Sequence, residues 1–564
     1  MSVSCHSLPI KPYAAALALS LLFSAVLAST TNVSAQVRER GARQAAVTDD
    51  AAPRAAESRR AAQTNEPVAA TADGDATGVA PVTSAARRPA TAVTQSPSKY
   101  KWTRAPRPNS PAVPVPLVPA TAGQLIISEF RLRGTNGAND EFVEIYNASG
   151  ADHTVDASGT GTGYGVFASD GVLRFSIPNG TVIPARGHYL GCNSVAYSVT
   201  SYPAGNGTTA TCDATYVADI VHEDPDGGGP MPVVQQGIAL FNTNVAGEVA
   251  AATRLDAVGP TSEANTLYKE GTGVRNLTPF AIAASYVRRF PGGCIGTDPG
   301  TVDANCTSSA LINNTPPSAS LSPQDTDDNR ADFIFVDANG TPASTEGIQQ
   351  RLGAPGPENL SSPIVRSSAS GAGVIPPSLI DSCVASSSPP NRVRDMTNDP
   401  GEPNDTFGSL FIRRKFTNNT GGNVTRLRFR IIDITVFPTE AFFLPPPPNN
   451  FCGAPGSDCA ADLRPLTSTD VVVTIDGPPC GSGTANISVR GTTLEQAASP
   501  ENQPNGGGFN SSMSAGTVTL ATPLPPLDDP GTPTVKENEI NLQFRFGVQG
   551  RGKFRVFMIT EVLP

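Results

Sequence analysis

Glycine and proline interrupt this chain so often that long regular helices are excluded over most of its length. The 564 residues include 53 Gly and 53 Pro, and both residue types destabilise helix interiors. Between these interruptions lie short apolar runs rich in β-branched and aromatic residues, which predict strands. The pattern also argues against a doubly wound α/β fold, because no long amphipathic helices alternate with the runs. The sequence therefore predicts an all-β protein with long loops.

Residues 1–35 have the anatomy of an export signal. Lys11 precedes an apolar stretch over residues 14–27, and the small residues Ser34 and Ala35 favour cleavage after Ala35. This stretch is shorter than the roughly 20 residues of a membrane-spanning helix, and no later stretch is long and apolar enough to span. We therefore expect an exported protein that is secreted, periplasmic or associated with the cell surface, without a transmembrane segment after signal cleavage.

Composition divides the rest of the chain into four regions. Residues 36–120 are rich in Ala, Arg and Pro and lack clusters able to form a core, so we expect a disordered tail. Residues 121–340 contain closely spaced β segments that predict a first β-sandwich. Residues 341–395 are rich in Pro, Ser, Gly and Ala, which favours an interdomain linker. Residues 396–564 contain long β segments that predict a second β-sandwich.

Alternation of apolar and polar residues sets the expected orientation of several strands. LIISEF at 125–130 and FVEIYN at 142–147 flank a turn dense in Gly and Asn, so they predict two paired strands. Later segments such as VLRFSI alternate in the way that is typical of a sandwich with one wet face per sheet. In the second region, Arg428 and Arg430 alternate with apolar residues, and we expect both on a solvated strand face.

The succession of segments from LIISEFRLRG to DTDDNRADFIF resembles the lamin-tail domain in its bacterial, exported form, over about residues 123–340. Its most specific parts are residues 128–130 and 141–147. The resemblance implies an immunoglobulin-like sandwich that serves as an interaction module, and it does not imply catalysis. The chain departs from the family at Gly163 and Tyr164, where many members have Trp, so the core must be packed differently there. No family resemblance is evident beyond this region.

The cysteine count predicts disulfide bonds. Nine Cys are present, and Cys5 belongs to the signal, which leaves an even number for an oxidising compartment. Nearest partners predict the bonds Cys192–Cys212 and Cys294–Cys306. Three pairings remain open for the other four cysteines, because spacing alone does not choose between them; these are Cys383, Cys452, Cys459 and Cys480. A metal site would need close Cys pairs with His nearby, and neither occurs.

A short acidic loop is the one candidate metal site. Asp325, Asp327 and Asn329 supply hard oxygen ligands that suit calcium. The loop lacks the central Gly and the distal bidentate Glu of a helix-loop-helix calcium site. Asp and Asn also favour turns for their own backbone hydrogen bonds, so turn formation is the alternative interpretation. We expect no other cofactor.

Catalytic motifs are not evident in the sequence. There is no Gly-x-Ser-x-Gly motif, and the histidines beyond the signal share no metal-ligand spacing. Two of the three residues Glu129, Glu141 and Glu144 could be imagined as a glycosidase carboxylate pair. We interpret them instead as strand carboxylates that face solvent or pair with neighbouring arginines. The sequence therefore predicts no catalytic residues.

These features favour a non-enzymatic exported protein whose loops contact a protein or polysaccharide of the cell surface or envelope. The net charge of −10 and a single Trp argue against a nucleic-acid partner. A carbohydrate- or calcium-binding accessory module is the first alternative, and its sugar platform would have to be Tyr164, Tyr189 or Tyr197. An unrecognised secreted hydrolase is the second alternative.

Overall fold

The structure is a computed structural model, and it describes residues 118–200, 210–222, 234–275, 283–290, 322–338, 350–367, 373–436, 461–477, 480–481, 483–495, 507–527, 536–552 and 554–563. The regular secondary structure of these residues is almost entirely β, as the sequence predicts. Besides strands, they form one α-helix, α1 (Asn329–Asp332), and two 3-10 helices, Ala246–Glu248 and Thr266–Tyr268. Within these ranges, no helix is long and apolar enough to cross a membrane. The predicted signal and nearly all of the predicted tail lie outside the described residues.

The first sandwich consists of two main sheets and two short strand pairs. Its strands, in chain order, are β1 (Leu125–Arg131), β2 (Phe142–Asn147), β3 (His153–Thr154), β4 (Gly163–Ala168), β5 (Leu173–Pro178), β6 (Val182–Ile183), β7 (His188–Asn193), β8 (Ala214–Tyr216), β9 (Val221–His222), β10 (Val234–Gln235), β11 (Ile238–Phe241), β12 (Arg254–Val258), β13 (Ala284–Arg288), β14 (Phe333–Asp337) and β15 (Gln350–Leu352). Sheet 1 has the order β15-β14-β13-β1-β2-β7-β8, and sheet 2 has the order β12-β11-β4-β5.

Alternate side chains of sheets 1 and 2 meet to form the first core. Ile127 of β1 and Ile145 of β2 pack in one apolar cluster with Val166 of β4 and Leu240 of β11. A register shift between Ile127 and Glu129 breaks the strict alternation of β1. The antiparallel register of β1 and β2 confirms the predicted strand pair.

Tyr164 occupies the place where the resemblance led us to expect altered packing. Its side chain is buried in the first core. The Tyr164 hydroxyl accepts a hydrogen bond from the Ala120 N–H at 2.6 Å and lies 3.0 Å from Nε2 of His153. A buried phenol needs such partners. A Cβ on the preceding Gly163 would lie 2.4 Å from the carbonyl oxygen of Ile177, so the close approach of β4 and β5 requires glycine.

The second sandwich also has two sheets. Its strands are β16 (Ile364–Val365), β17 (Pro377–Leu379), β18 (Arg392–Asp395), β19 (Ser409–Thr417), β20 (Arg426–Ile434), β21 (Asp462–Leu466), β22 (Val471–Asp476), β23 (Thr484–Gly491), β24 (Thr493–Leu494), β25 (Ser512–Ser514), β26 (Glu539–Gly550) and β27 (Val556–Leu563). Sheet 3 has the order β16-β27-β20-β25-β24. Sheet 4 has the order β17-β19-β26-β23-β22, with β18 paired to β19 and β21 paired to β26.

Three phenylalanines form the centre of the second core. Phe429 of β20 lies 4.7 Å from Phe416 of β19 and 4.9 Å from Phe544 of β26, measured between ring centroids. The Phe429 and Phe544 rings meet edge to face, which is a favourable aromatic geometry. The core therefore joins sheet 3 to sheet 4, as expected for a second sandwich.

The inner strands of sheet 1 are buried on both faces. Every residue of β1 and β2 is buried, charged ones included. On the face that turns away from the first core, Val287, Ile334 and Val336 join the apolar cluster of the second sandwich. The expected wet face of this sheet is therefore wrong, because sheet 3 covers it. The described residues accordingly belong to one compact unit.

The described part of residues 341–395 differs from the expected interdomain linker. Strand β15 pairs in parallel with β14 of sheet 1, and β16 pairs with β27 of sheet 3. Residues 377–379 and 392–395 add two further strands to sheet 4. A Gly- and Pro-rich composition does not exclude order here, because the segment is packed between sheets that supply partners for its backbone.

Candidate functional site

A concentration of buried charge lies where sheet 1 meets sheet 3. We call it the interdomain cluster and define it by Glu129, Glu144, His188, Glu358, Arg428, Arg430 and Glu561, all of them buried. Pairing across strands brings several of these residues together. Glu129 lies opposite Glu144 in the register of β1 and β2, and Arg428 lies opposite Glu561 in that of β20 and β27. Two facing sheets therefore contribute opposite charges to one interface.

Glu358 and Glu561 neutralise the two arginines of β20. Nε of Arg428 lies 2.7 Å from Oε2 of Glu561, and Nε of Arg430 lies 3.1 Å from Oε1 of the same carboxylate. Nη2 of Arg430 is 2.7 Å from Oε1 of Glu358, which also pairs with Arg428. The expectation that Arg428 and Arg430 face solvent is therefore wrong. Alternation places them on the outer face of sheet 3, as predicted, but sheet 1 covers that face.

The glutamates of sheet 1 accept hydrogen bonds from the segments around them. Glu129 accepts from Ser285 Oγ at 2.6 Å, from the Gly356 N–H at 3.0 Å and from Asn510 Nδ2 at 3.1 Å. Asn510 belongs to the second sandwich, so this carboxyl group bonds across the interface.

Glu144 makes a similar set of contacts. It accepts from Ser128 Oγ at 2.5 Å and from the Glu358 N–H at 2.6 Å. Nε2 of His188 lies 3.1 Å from Oε2 of Glu358 and 3.7 Å from Oε1 of Glu144. The expectation that Glu129 and Glu144 face solvent or pair with neighbouring arginines of their own sheet is therefore corrected.

Burial shifts the protonation of the cluster towards neutral forms. It raises the pKa of Glu129, and burial together with the adjacent Glu129 carboxyl raises that of Glu144 well above its usual range. Burial and the cationic Arg430 and Arg428 hold the pKa of His188 well below its usual range. His188 is therefore neutral at pH 7, and the Glu129–Glu144 pair tends to retain a proton.

The space inside the interdomain cluster is too small for a substrate. A cavity of about 30 Å³ lies among Glu129, Glu144, His188 and Glu561. This is room for one or two water molecules, whereas small-molecule sites have about 300–1,000 Å³. The interdomain cluster can therefore join sheets 1 and 3 and hold a proton between Glu129 and Glu144, but it cannot enclose a substrate.

Glu141, the third glutamate considered for a glycosidase pair, is also buried. Oε1 of Glu141 accepts from the Ile220 N–H at 2.7 Å, and Oε2 accepts from Asn193 Nδ2 at 3.2 Å. These bonds tie the start of β2 to the end of β7 and to the segment that follows β8. Glu141 therefore also differs from the expected solvent-facing carboxylate, and its observed contacts are structural.

The three predicted calcium ligands of the acidic loop have different surroundings in the structure. Asp325 pairs with Arg288, whose Nη1 lies 3.0 Å from Oδ1. Asp327 is exposed and adopts a left-handed backbone conformation with φ of 57°. Asn329 is buried and donates through Nδ2 to the Ala257 carbonyl at 2.8 Å. These contacts favour the turn interpretation.

Asp325 instead meets two acidic residues that the sequence did not suggest. Asp256, Glu270 and Asp325 each offer an oxygen within 4.8 Å of the others, a spacing that could hold a metal ion. Arg288 lies in the same group, with Nη2 2.8 Å from Oδ2 of Asp256. Burial and the neighbouring Asp256 carboxylate raise the pKa of Glu270 to about 9. A guanidinium and a proton therefore supply the positive charge that calcium would bring.

An open groove of about 430 Å³ lies on the outer side of sheet 4. Its floor is formed by β19 and β26, and its walls are the loops after β18 and β21. The residues that line it include Asp395, Asp399, Asp405, Phe411, Thr469 and Arg545. Sequence reasoning missed this groove, although the aromatic Phe411 at a polar-face position of the strand SLFIRRKFT was a detectable signal.

Arg545 and Asp405 fix the shape of the groove. Nη2 of Arg545 lies 2.8 Å from Oδ2 of Asp405, and Nε donates to Ser409 Oγ at 2.9 Å. The buried Asp405 also accepts from the Asp399 N–H at 3.2 Å. Loop and strand are thus held together at the base of the groove.

The three tyrosines that could have formed a sugar platform pack against other side chains of the protein. Tyr164 and Tyr189 are buried in the first core. Tyr197 packs edge to face against Phe142, with ring centroids 6.1 Å apart, and donates through its hydroxyl to the Ala210 carbonyl at 2.7 Å. None of the three offers an open ring face for a sugar.

Two disulfides lie in the described residues. Cys192 bonds Cys212, which confirms the predicted pair. Cys383 bonds Cys480 and so selects one of the three pairings that the sequence left open. The predicted bond Cys294–Cys306, and the pairing of Cys452 with Cys459 that now remains, lie outside the described residues.

Comparisons with known proteins give little further information. No family model and no curated protein matches the chain. Among solved structures, a DUF4876 family protein from Bacteroides thetaiotaomicron is similar to part of it, with 14% sequence identity and a TM-score of 0.22. That match covers 38% of this chain and 70% of the other chain. A likeness at this level carries no argument about fold or function.

Proposed function

We propose that the chain is an exported, non-enzymatic interaction scaffold of the cell surface or envelope, with a lamin-tail-like first domain. The observation that carries the proposal is the interdomain cluster. It uses charged side chains of both sandwiches to join them, so that the loops and the groove of the second sandwich are presented on one compact unit. Rigid presentation lowers the entropy that a binding surface loses when a partner docks.

The disulfides support the export part of the proposal. Cys192–Cys212 and Cys383–Cys480 suit an oxidising compartment, since cytosolic thiols are kept reduced. Cleavage after Ala35 would release the mature chain into that compartment. The partner would be a protein or a polysaccharide of the envelope.

Binding to envelope material tests the proposal. The mature chain, residues 36–564, is incubated with intact cells and with separated envelope fractions, and retention is measured after washing. We expect saturable retention by one fraction, and none by the same chain after reduction and unfolding. Failure of the native chain to be retained by any fraction contradicts the proposal.

Turnover assays test the non-enzymatic part separately. The same preparation is incubated with esterase, glycosidase, peptidase and nuclease substrates, with and without calcium. We expect no turnover under either condition. Reproducible, saturable turnover of any of these substrates would establish the hydrolase alternative instead.

A further inference from the structure

The groove of the second sandwich has the size and the mixed lining of a small-ligand site. Its volume of about 430 Å³ falls within the range of about 300–1,000 Å³ that is typical of such sites. The lining combines an aromatic ring, carboxylates, hydroxyl groups and one guanidinium. The groove therefore offers a ligand an apolar surface, hydrogen-bond donors and hydrogen-bond acceptors together.

Phe411 provides an apolar surface on the floor of the groove. Its strand neighbours Leu410 and Ile412 point into the second core and are buried. Strand alternation therefore places Phe411 on the opposite, outer face of sheet 4, where it is partly exposed. Arg545 lies directly opposite Phe411 in the register of β19 and β26. A flat apolar ring and a planar donor group thus lie side by side.

The polar groups of the groove are held in place but retain hydrogen-bonding capacity. Arg545 uses two N–H groups for Ser409 and Asp405, out of the five that a guanidinium has. Oδ1 of Asp395 accepts from the Thr397 N–H at 2.9 Å. The second oxygen of this exposed carboxylate remains available to a ligand as an acceptor.

Asp399 shows the same arrangement on the other side of the loop. Its Oδ1 accepts from the Gly401 N–H at 3.0 Å, and its side chain is exposed to the groove. Thr469, which lines the same groove from the loop after β21, adds a hydroxyl group that can donate and accept. The groove therefore offers donors and acceptors in fixed positions around one aromatic ring.

This combination selects among ligand classes. Three aspartates against one arginine disfavour an anion. A purely cationic ligand would bind the carboxylates but would make no use of the remaining Arg545 donors. A sugar ring has hydroxyl groups that both donate and accept, and its C–H face suits an aromatic side chain.

We propose that this groove binds a neutral saccharide, with Phe411 as the stacking surface and Asp395, Asp399 and Arg545 as hydrogen-bonding groups. The inference rests on the proposed function, because it names the chemical class of the partner. In it, Asp405 is a positioning residue that acts through Arg545.

A glycan array followed by calorimetry tests the inference. The mature full chain is applied to an array of neutral hexose, pentose and N-acetylhexosamine oligomers, and the best probe is titrated into the variants Phe411→Ala and Asp399→Asn. Asparagine keeps the acceptor for the Gly401 N–H, so D399N should fold normally. Val472→Ala is the matched control, because Val472 is 72% exposed on β22 of the same sheet.

We expect at least a tenfold loss of affinity in Phe411→Ala, a several-fold loss in Asp399→Asn and no change in Val472→Ala. Equal binding by all variants would overturn the groove as the site. Exclusive binding of a polyamine or a Lys-rich peptide would overturn the ligand class. No glycan bound more tightly than about 1 mM would overturn the inference as a whole.

The envelope assay separates this failure from failure of the proposed function. Envelope fractions are oxidised with periodate, which cleaves vicinal diols, before the mature chain is added. Retention that is lost after periodate and in Phe411→Ala supports the inference. Retention that persists both on periodate-oxidised fractions and in the Phe411→Ala variant overturns the saccharide inference and leaves the scaffold proposal standing. No retention before oxidation contradicts both.

Discussion

Charged side chains in this protein are structural at many of their positions. Arg131 pairs with Asp140 at 3.0 Å with both side chains fully buried, and Arg288 pairs with Asp256 in the same way. A buried ion pair is not a guarantee of net stability, because both charges lose their hydration. Breaking such a pair is nevertheless costly, since the remaining charge stays buried without its partner. This asymmetry makes the interdomain cluster testable at single residues.

Arg428→Ala should destabilise the protein by about 3–5 kcal/mol. The substitution leaves Glu358 and Glu561 buried with one arginine fewer, and Arg430 alone must neutralise both. The free energy of unfolding is measured by urea denaturation at pH 7. The control is Arg490→Ala, which breaks a surface pair whose side chains are 49% and 52% exposed, and it should cost only about 0–1 kcal/mol. Equal changes in the free energy of unfolding for the two substitutions would contradict a stabilising role for the buried ion pairs of the interdomain cluster.

Glu270→Gln should reduce the loss of stability at alkaline pH. Burial and Asp256 raise the pKa of Glu270 from 4.5 to about 9, so the folded state holds a proton that the unfolded state releases. This contribution to stability is complete below about pH 4.5 and is lost as the pH rises towards 9. Glutamine does not titrate, so the variant should lose less stability than the wild type across this window.

Thermal unfolding at several pH values between 5 and 9 measures this difference. The exposed Glu537→Gln serves as the control and should follow the wild-type profile. If Glu270→Gln also follows the wild-type profile, Glu270 is ionised in the folded protein. The Asp256, Glu270 and Asp325 group would then be open to a cation.

At the scale of strands and loops, the alternation of apolar and polar residues predicted which face of a strand meets the core, but not what covers the other face. It places the arginines of β20 on the face opposite the core, whereas the pairing of β1 with β2 was predicted from the Gly- and Asn-rich turn between them. Alternation shows that two faces differ in chemistry. It does not show what covers the polar face, and here a second sheet covers it. A face rich in Glu or Arg therefore has the same sequence pattern whether it meets water or opposite charges.

Segments without periodicity were harder to predict. The Gly- and Pro-rich residues 350–367 have no alternation to indicate a strand, yet they join sheets 1 and 3 through short β15 and β16. Their order comes from long-range partners, such as the bond from the Gly356 N–H to Glu129. The groove escaped prediction for the same reason, since Asp399 and Thr469 meet only in the folded chain. The nearest-partner rule, in contrast, was sufficient for Cys192–Cys212.

The two described disulfides should contribute unequally to stability. Cys192–Cys212 spans 20 residues and Cys383–Cys480 spans 97, so restricting the unfolded chain gives ~3.3 and ~4.7 kcal/mol in the entropic model. We expect the double variant Cys383→Ala/Cys480→Ala to lower the melting temperature more than Cys192→Ala/Cys212→Ala. Calorimetry under non-reducing conditions measures both. The opposite order would show that local packing around Cys192 outweighs loop entropy.

At the scale of the whole molecule, the described sheets form a continuous stack. Sheet 2 packs on sheet 1, sheet 1 on sheet 3, and sheet 3 on sheet 4. The contact between sheets 1 and 3 combines apolar residues such as Val336 with the interdomain cluster. Neither sandwich is complete without the other, because each would expose one face of buried charges and apolar side chains. The two domains that the sequence suggests therefore correspond to two pairs of sheets that share a buried interface. We expect the two sandwiches to unfold together.

The mature chain should unfold in a single calorimetric transition, because loss of either sandwich exposes the shared face of the other. A fragment of residues 118–338 would expose Glu129, Glu144 and Val336 on the uncovered face of sheet 1. We expect this fragment to aggregate or to melt well below the intact chain, as size-exclusion chromatography and calorimetry would reveal.

The reciprocal fragment, residues 350–564, retains Glu358 with both arginines of β20. It should therefore be the more soluble of the two, because its ion pairs are formed mostly within the fragment. Two separate transitions in the intact chain, together with a monomeric first fragment of unchanged melting temperature, would show that the sandwiches are independent domains and that the interdomain cluster does not couple them.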